Sequence, residues 1–175
     1  MTRAAGRALA IAAGLLAAIG CGGEPAAPPV PDRPGRPAIA EPARPLPLPP
    51  PTPADRCAEI VNQQRLSRGL PALTQSSALE AYAQAAAAHD AAARQAHQYF
   101  RATGGGGLAV AENVIPWWPL PPSGSVEDVI RDGASMMWNE GPGGGHYDNL
   151  AGPHTAMGCG VFVADGRVTV VQAFR

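Results

Sequence analysis

The chain is organised around the segment WNEGPGGGHY at positions 138–147, in which Glu140 and His146 stand at the two ends of a glycine-rich loop. Four of the five residues at 141–145 are glycine. Glycine loses more backbone entropy on folding than any other residue, so this run is typical of a sharp turn or of a close approach to another group. A helical pattern ends at Glu140 and a new element begins at His146, and we expect both side chains to line one cleft.

Two more residues are candidates for the same cleft. His97 stands at the end of an alanine-rich helical pattern, and Glu112 interrupts an apolar segment within AENV at 111–114. Two imidazoles and two carboxylates suit zinc or another divalent first-row ion, and they also suit general acid–base chemistry. The spacing does not choose between these uses, and each residue taken singly is more often a helix cap or a solvated surface group.

The first 21 residues have the pattern of an export signal. Arg3 and Arg7 precede an apolar run at 8–19, which predicts a secretory signal over residues 1–20. Cys21 directly follows a small residue, and this position predicts a lipidated bacterial lipoprotein anchored in a membrane of the cell envelope. Gly22 follows the cysteine where an aspartate would indicate inner-membrane retention, so the outer membrane is expected if the host has one. The alternative is ordinary cleavage nearby, which would leave a soluble secreted protein.

Residues 21–53 are predicted to be a tether between the anchor and the folded domain. Thirteen prolines fall between positions 25 and 53. Such a segment favours an extended polyproline II path of about 3.1 Å per residue, so some 30 residues would reach about 90 Å. A spacer is favoured here over a set of proline-rich recognition motifs.

Charge and cysteine content limit which partners and which cross-links can be expected for the remaining domain, residues 54–175. The whole chain has a formal net charge of −1, so no basic excess is present to offset phosphates, and nucleic acid is excluded as an expected partner.

Cys57 and Cys159 remain after Cys21 is assigned to the lipid. An exported compartment permits a disulfide between them, and the alternative is a pair of small buried apolar side chains.

The order of predicted elements indicates an α+β fold. The pattern gives a helix from Cys57 to Leu66 capped by Asp55, a long helix from 76 or 77 to about 96, and a flexible break at 103–107. A short apolar segment follows at 108–115, then a loop at 117–122, a helix beginning at Ser125, and a short helix or turn at 146–150. Strands at 158–164 and 168–174 form a terminal hairpin around Asp165-Gly166.

Several short motifs occur in an order that resembles the CAP superfamily, the cysteine-rich secretory, antigen 5 and pathogenesis-related 1 proteins also called SCP domains. The motifs are IVNQQR at 60–65, GLPAL at 69–73, His97, AENV at 111–114, WNE at 138–140, GHY at 145–147 and GCG at 158–160. The resemblance covers nearly all of residues 54–175. It implies an α-β-α sandwich, in which helices flank a small antiparallel sheet.

The resemblance also implies a cleft formed by His97, Glu112, Glu140 and His146 that can bind a divalent metal, often zinc. His97 fits the motif order better than its rival, His89. Some family members bind sterols or other lipids, and no general enzymatic activity is established for the family. We therefore expect a protein that binds a metal, small molecule, lipid or envelope component rather than an enzyme. The alternatives are a metal-assisted hydrolase of the cell envelope, with Glu112 or Glu140 as general base, and a structural or adhesive envelope protein.

Trp117 and Trp118 are the remaining feature, since they stand together in a proline-rich loop. Aromatic side chains supply a large apolar area, so an exposed pair would be a contact for a ligand or a membrane. The alternative is that at least one indole covers the edge of the core.

Overall fold

A computed structural model describes residues 49–175 of the chain. The predicted signal at 1–20, the lipidation site Cys21 and the tether as far as position 48 lie outside the described residues. Within residues 49–175, no helix has the length and apolar character needed to cross a membrane.

Five α-helices and four strands make up the described part of the chain, and the predicted α+β class is confirmed. In chain order they are α1 (Pro53–Leu66), β1 (Thr74–Gln75), α2 (Ser77–Ala93), α3 (Gln98–Thr103), a glycine 3-10 turn (Gly104–Gly107), β2 (Ala111–Pro119), α4 (Val126–Asn139), α5 (Gly145–Ala151), β3 (Ala156–Ala164) and β4 (Arg167–Phe174).

The four strands form one sheet in the order β1-β3-β4-β2. β3 and β4 are an antiparallel hairpin, and β2 pairs antiparallel with the other side of β4. β1 pairs parallel with β3, so the sheet is mixed, whereas the resemblance implied an antiparallel one. β2 is an edge strand, which leaves one of its sides free to contact the loop that carries His97.

Helices cover both faces of the sheet, as expected for an α-β-α sandwich. On one face α1, α4 and α5 enclose a core that includes Val61, Ile130, Met137 and Leu150. On the other face α2 packs through Leu79 and a row of alanines against β2 and β4. This arrangement places the loops that follow α2 and α4 near the edge of β2.

A disulfide between Cys57 and Cys159 connects α1 to β3. Both cysteines are buried, at 0% and 1% exposure. The sequence had left this bond open against two free thiols, and the structure has the bond. Because it closes a loop of about 100 residues, it stabilises the fold by roughly 4 kcal/mol relative to the reduced chain.

Gly158 and Gly160 explain why the GCG motif of β3 needs glycine on both sides of Cys159. A Cβ atom on Gly158 would overlap the α2 backbone at Leu79 and Glu80, and one on Gly160 would overlap it at Ala83 and Gln84. The backbone of α2 therefore lies directly on β3. This contact fixes the position of α2 on the sheet. It thus also fixes the point in space from which the loop to His97 starts.

Four sequence expectations were wrong in detail. The N-cap of α1 is Thr52, and Asp55 completes the capping box by accepting a hydrogen bond from the Thr52 amide. α2 ends at Ala93 rather than near 96, because Arg94 adopts a left-handed conformation with φ 51°. The expected break at 103–107 holds the end of α3 and an ordered glycine turn. Residues 117–119, expected to be loop, belong to β2, because pairing with β4 resumes at Trp118 after a register shift.

Candidate functional site

The first part of the candidate site is a pair formed by His97 and Glu112. Glu112 lies on β2 opposite Ala173 of β4. The Nδ1 atom of His97 is 2.9 Å from Oε1 of Glu112, and because a carboxylate only accepts, the imidazole donates this hydrogen bond. The Glu112 side chain is 1% exposed and the His97 side chain is 34% exposed. This pair, which we call the sheet pair, therefore has a buried acid and a partly solvated imidazole.

The position of His97 depends on the loop between α2 and α3. His97 has a left-handed backbone, with φ 62°, and its side chain makes no capping hydrogen bond to α3. Asp90, which is buried near the end of α2, instead accepts a hydrogen bond from the Tyr99 amide at 2.9 Å. Asp90 thus replaces the missing cap of α3 and holds the turn that points the imidazole towards β2.

The second part of the site is a pair formed by Glu140 and His146, which we call the loop pair. His146 donates two hydrogen bonds to the carboxylate of Glu140: Nδ1 lies 2.5 Å from Oε1 and the backbone amide lies 3.1 Å from Oε2. The hydrogen bond from the His146 ring lowers the pKa of the Glu140 carboxyl below its ordinary value. Glu140 also serves as the cap of α5, because the N-cap residue Gly144 has no side chain.

The glycine run between Glu140 and His146 has a specific steric reason at one position. A Cβ atom at Gly144 would lie 2.5 Å from Cβ and 2.9 Å from Oε2 of Glu140. Gly141 and Gly143 adopt positive φ angles of 72° and 90°, which side chains strongly disfavour. The loop therefore curls tightly enough for a glutamate and a histidine six residues apart to meet.

The structure brings the two pairs together. The rings of His97 and His146 are stacked with an interplanar angle of 24° and a centroid separation of 6.5 Å. Each Nδ1 atom bonds to a glutamate, so each Nε2 atom remains available, and within residues 49–175 neither has a hydrogen-bond partner. The other candidate, His89, lies against Asp90 and Tyr99, outside this cleft.

An amide cluster that the sequence reasoning missed connects the two pairs. Asn113, fully buried on β2, donates to the His146 carbonyl at 3.2 Å. Asn149 of α5 donates to the Asn113 side-chain oxygen at 2.9 Å and to the Glu112 carbonyl at 3.2 Å. These bonds hold α5, which carries His146, against the strand that carries Glu112. The available signal was an asparagine next to Glu112 in an otherwise apolar strand.

The donor set fits a divalent cation held by the two imidazoles. A metal-binding histidine typically uses one ring nitrogen as ligand while the other donates to a carboxylate, and both pairs have this arrangement. Within residues 49–175, the buried Oε2 atom of Glu112 has no hydrogen-bond partner, so this carboxylate keeps an unused acceptor. Within residues 49–175, no three His, Cys, Asp or Glu side chains are grouped as a ready-made metal site. The remaining ligands would therefore be water or a bound molecule.

The other predicted residues lie away from the cleft. Cys57 and Cys159 are in the core as the disulfide. Trp118 packs at the edge of the core formed with α1 and α4, whereas Trp117 lines a separate cavity. Both indoles are partly buried, so neither is a freely exposed contact.

Comparison with known proteins gives one family and a distant structural likeness. Residues 58–174 match the model of a family described as "CAP: Cysteine-rich secretory protein family". No curated protein matches the chain. Among solved structures the chain is similar to "Crystal Structure of Na-ASP-1", with 16% sequence identity and a TM-score of 0.49. That match covers 69% of this chain and 37% of the other, so the chain spans well under half of its length.

Proposed function

The chain belongs to the cysteine-rich secretory protein (CAP) family, and on that premise we propose that it is an exported, membrane-tethered CAP domain whose cleft binds a divalent metal ion, or a small ligand through that ion. The observation that carries this proposal is the facing pair of imidazoles, 6.5 Å apart, each with its Nδ1 atom bonded to a glutamate. Two glutamates thus hold two potential ligands in neighbouring rings.

The chemistry of the cleft favours zinc among common ions. Neutral imidazole is a preferred ligand of zinc, and a carboxylate behind it raises its basicity. Within the described residues the cleft offers two imidazole nitrogens, so moderate affinity is expected, with coordination positions left for water or a ligand. The open cleft supports such access, since both imidazoles and Glu140 have side chains about one-third exposed.

Two features support export and tethering. The first 21 residues have the charged start, apolar run and cysteine of a lipoprotein signal. The disulfide between Cys57 and Cys159 is of the kind that persists in oxidising compartments outside the cytoplasm. We propose lipidation at Cys21 as the anchor, with the proline-rich tether holding the domain away from the membrane.

Binding is favoured over covalent catalysis by the partners of the two histidines. Both rings bond to glutamates, and within the described residues neither contacts a serine or threonine that it could activate. Ser135 is bonded to Gln64, and Thr155 to the Arg175 carbonyl. A cleft of this kind is equipped to hold a ligand rather than to form a covalent intermediate.

Calorimetric titration of the full chain with zinc tests the cleft. The wild type is expected to bind one equivalent with micromolar affinity, and His97→Ala/His146→Ala is expected to lose at least tenfold in affinity. His89→Ala, which removes a histidine outside the cleft, is the matched control and should bind as the wild type does. Equal binding by the wild type and the double variant would remove the metal from the proposal. Elemental analysis of chelator-free protein identifies the ion that the cleft acquires during expression.

Cell fractionation tests the anchor. Wild-type protein is expected in the membrane fraction, with a mature N-terminal mass that includes acyl chains at Cys21. Cys21→Ser should move the protein to the soluble exported fraction. If the wild type is itself soluble after cleavage, secretion without an anchor replaces the tethered form.

A further inference from the structure

We propose that the protein has a second binding site, separate from the His/Glu cleft, for a small anionic ligand that carries a flat apolar ring. The site is a cavity of about 330 Å³ at the end of the sheet where β2 finishes. Its walls include the aromatic rings of Trp117 and Phe162, the apolar Ala91 and three charged residues, Arg94, Asp165 and Arg167. We call it the Trp117 pocket.

The backbone at Trp117 has a strained conformation, and this residue lines the pocket. Trp117 has a φ of 30°, which is rare for a large side chain and is usually retained only where surrounding structure requires it. The pairing of β2 with β4 shifts register between Ile115 and Trp118, and such bulges redirect side chains. Here Trp118 packs at the edge of the core, whereas the indole of Trp117 lines the cavity.

Two side chains that line the pocket or its floor hold this strained turn. The Trp117 amide donates to the hydroxyl of buried Thr169 at 3.1 Å, and Arg167 donates to the Trp117 carbonyl at 3.1 Å. Both backbone groups of Trp117 are therefore satisfied by residues of β4. The backbone that carries the indole is thus held before any ligand arrives, and a preorganised wall reduces the entropy lost on binding.

The charges of the pocket favour an anion. Within residues 49–175, neither Arg94 nor Arg167 lies within ion-pair distance of a carboxylate, although other exposed arginines such as Arg56 and Arg131 do. Among the described residues that line the pocket, Asp165 is the one acid beside two arginines, which gives this lining an excess of one positive charge. Guanidinium groups present planar, paired donors that match carboxylate or phosphate oxygens.

The size and apolar walls define the rest of the ligand. Ligand pockets usually measure about 300–1,000 Å³, so this cavity suits a molecule of one or two rings. Partly buried aromatic side chains such as Trp117 and Phe162 stack against flat apolar surfaces. A carboxylate on a small aromatic or alicyclic ring satisfies both the walls and the arginines.

The Trp117 pocket and the His/Glu cleft have no residue in common, although Arg94 lies three positions before His97 on the loop that follows α2. Glu112 and Trp117 are five residues apart on β2, about 16 Å along the strand. None of the residues that line the pocket belongs to the sheet pair or the loop pair. Loss of zinc binding would therefore leave this proposal standing, and the reverse also holds.

Titration of the full chain with three probes tests the proposal. The probes are naphthalene-2-carboxylate, the neutral naphthalene-2-methanol and the cationic naphthalene-2-methylamine. We expect the carboxylate to bind at least tenfold more tightly than the amine, with the alcohol between them. Equal affinity for the three, or no binding of the carboxylate at millimolar concentration, overturns the proposal.

Variants and amide chemical shifts localise the binding. Arg94→Gln/Arg167→Gln should raise the Kd for the carboxylate at least tenfold, whereas Arg101→Gln/Arg131→Gln, which neutralises two arginines elsewhere, should leave it unchanged. Because Arg167 also supports the Trp117 turn, Arg94→Gln alone is a second variant, with an expected rise of about threefold. In the wild type, the carboxylate should shift the amides of Ala92, Trp117 and Thr169. Shifts confined to other regions, or equal affinity in the pocket and control variants, would refute the site.

Discussion

In both the sheet pair and the loop pair, a histidine Nδ1 atom is hydrogen-bonded to a glutamate carboxylate. The two pairs are held in place by different parts of the structure. His97 and Glu112 are 15 residues apart and meet only because α2 and β2 are packed correctly, and the Glu112 side chain is 1% exposed. Glu140 and His146 are six residues apart, and the Glu140 side chain is 31% exposed. The first pair therefore depends on the tertiary structure, whereas the second depends mainly on its own loop.

Because of this difference, the two halves of the cleft should respond to different substitutions. A change in helix–sheet packing should displace His97 while the loop pair persists. A change in the glycine loop should displace Glu140 while the sheet pair persists. Within the described residues, the amide cluster of Asn113 and Asn149 contacts both halves, since it bonds to the His146 carbonyl and to the Glu112 carbonyl.

The largest loss of stability is expected for Gly160→Ala, which disturbs the packing of α2 on β3 and thereby the position of the sheet pair. The added methyl would overlap the α2 backbone at Ala83 and Gln84, where no flexible side chain can move aside. We expect a loss of at least about 3 kcal/mol in the free energy of unfolding, measured with urea. Val163→Ala, at an exposed position on the same strand, is the control. A loss below about 1 kcal/mol would show that α2 does not rest on β3 as closely as described.

Asn113→Ala should have the next largest effect, because it removes the connection between the pairs. The Asn149 amide would lose its side-chain acceptor, and the His146 and Gln172 oxygens would lose a donor. Unsatisfied buried groups cost about 1–3 kcal/mol, so a loss of about 2–3 kcal/mol is expected. Asn139→Ala, at an exposed position at the end of α4, should change stability by less than about 0.5 kcal/mol. Zinc affinity should also fall in Asn113→Ala, and unchanged affinity would contradict the linking role.

Gly144→Ala compared with Gly145→Ala tests the loop pair. The first methyl would contact the Glu140 side chain at 2.5–2.9 Å, whereas the second would have no neighbour within 4 Å. We expect Gly144→Ala to cost about 1–2 kcal/mol and to shift the His146 ring resonances more than those of His97. Gly145→Ala should be close to neutral. Similar behaviour of the two variants would show that the close approach at Gly144 is not required.

The smallest effect is expected in the titration of Glu140. Its pKa is lowered by the hydrogen bond from His146, so the folded state binds its proton less readily than the unfolded state does. The stability from this bond is therefore complete above the ordinary glutamate pKa of about 4.3 and is lost as the pH falls through the folded value. Carbon NMR of protein freed of metal with a chelator should show the lowered pKa of Glu140 in the wild type. In His146→Gln the pKa of Glu140 should rise. An identical Glu140 titration in the two proteins would contradict this origin of the shift.

The sequence was informative where a feature depended on local residues. Glu140, the glycines and His146 are close in the chain, and the Ser125 cap, α4 and the terminal hairpin all follow from short-range patterns. The spacing alone did not place His97 against Glu112, and this expectation came from the order of the family motifs. The two-residue strand β1 exists only through pairing with β3, which is 82 residues further along.

Other features were missed because tertiary contacts decide them. α3 has no fully buried residue and takes its cap from Asp90, so its own six residues carry little helical pattern. Trp117-Trp118-Pro119 has the composition of a loop, yet β4 draws it into the sheet by pairing at Trp118 and Pro119. The strained turn at Trp117 depends on Thr169 and Arg167, more than 45 residues away. No local pattern could have indicated it.

The disulfide has a mechanical consequence for a domain that is pulled from its N-terminal end. α1 begins at Pro53, and Cys57 lies about one turn into that helix. A load applied ahead of Pro53 passes through this single turn and then through a covalent bond into β3, which is flanked by β1 and β4 in the interior of the sheet. Peeling of α1 beyond its first turn is prevented while the sulfurs remain bonded, so the force is borne by the interior of the sheet rather than by the surface of a helix.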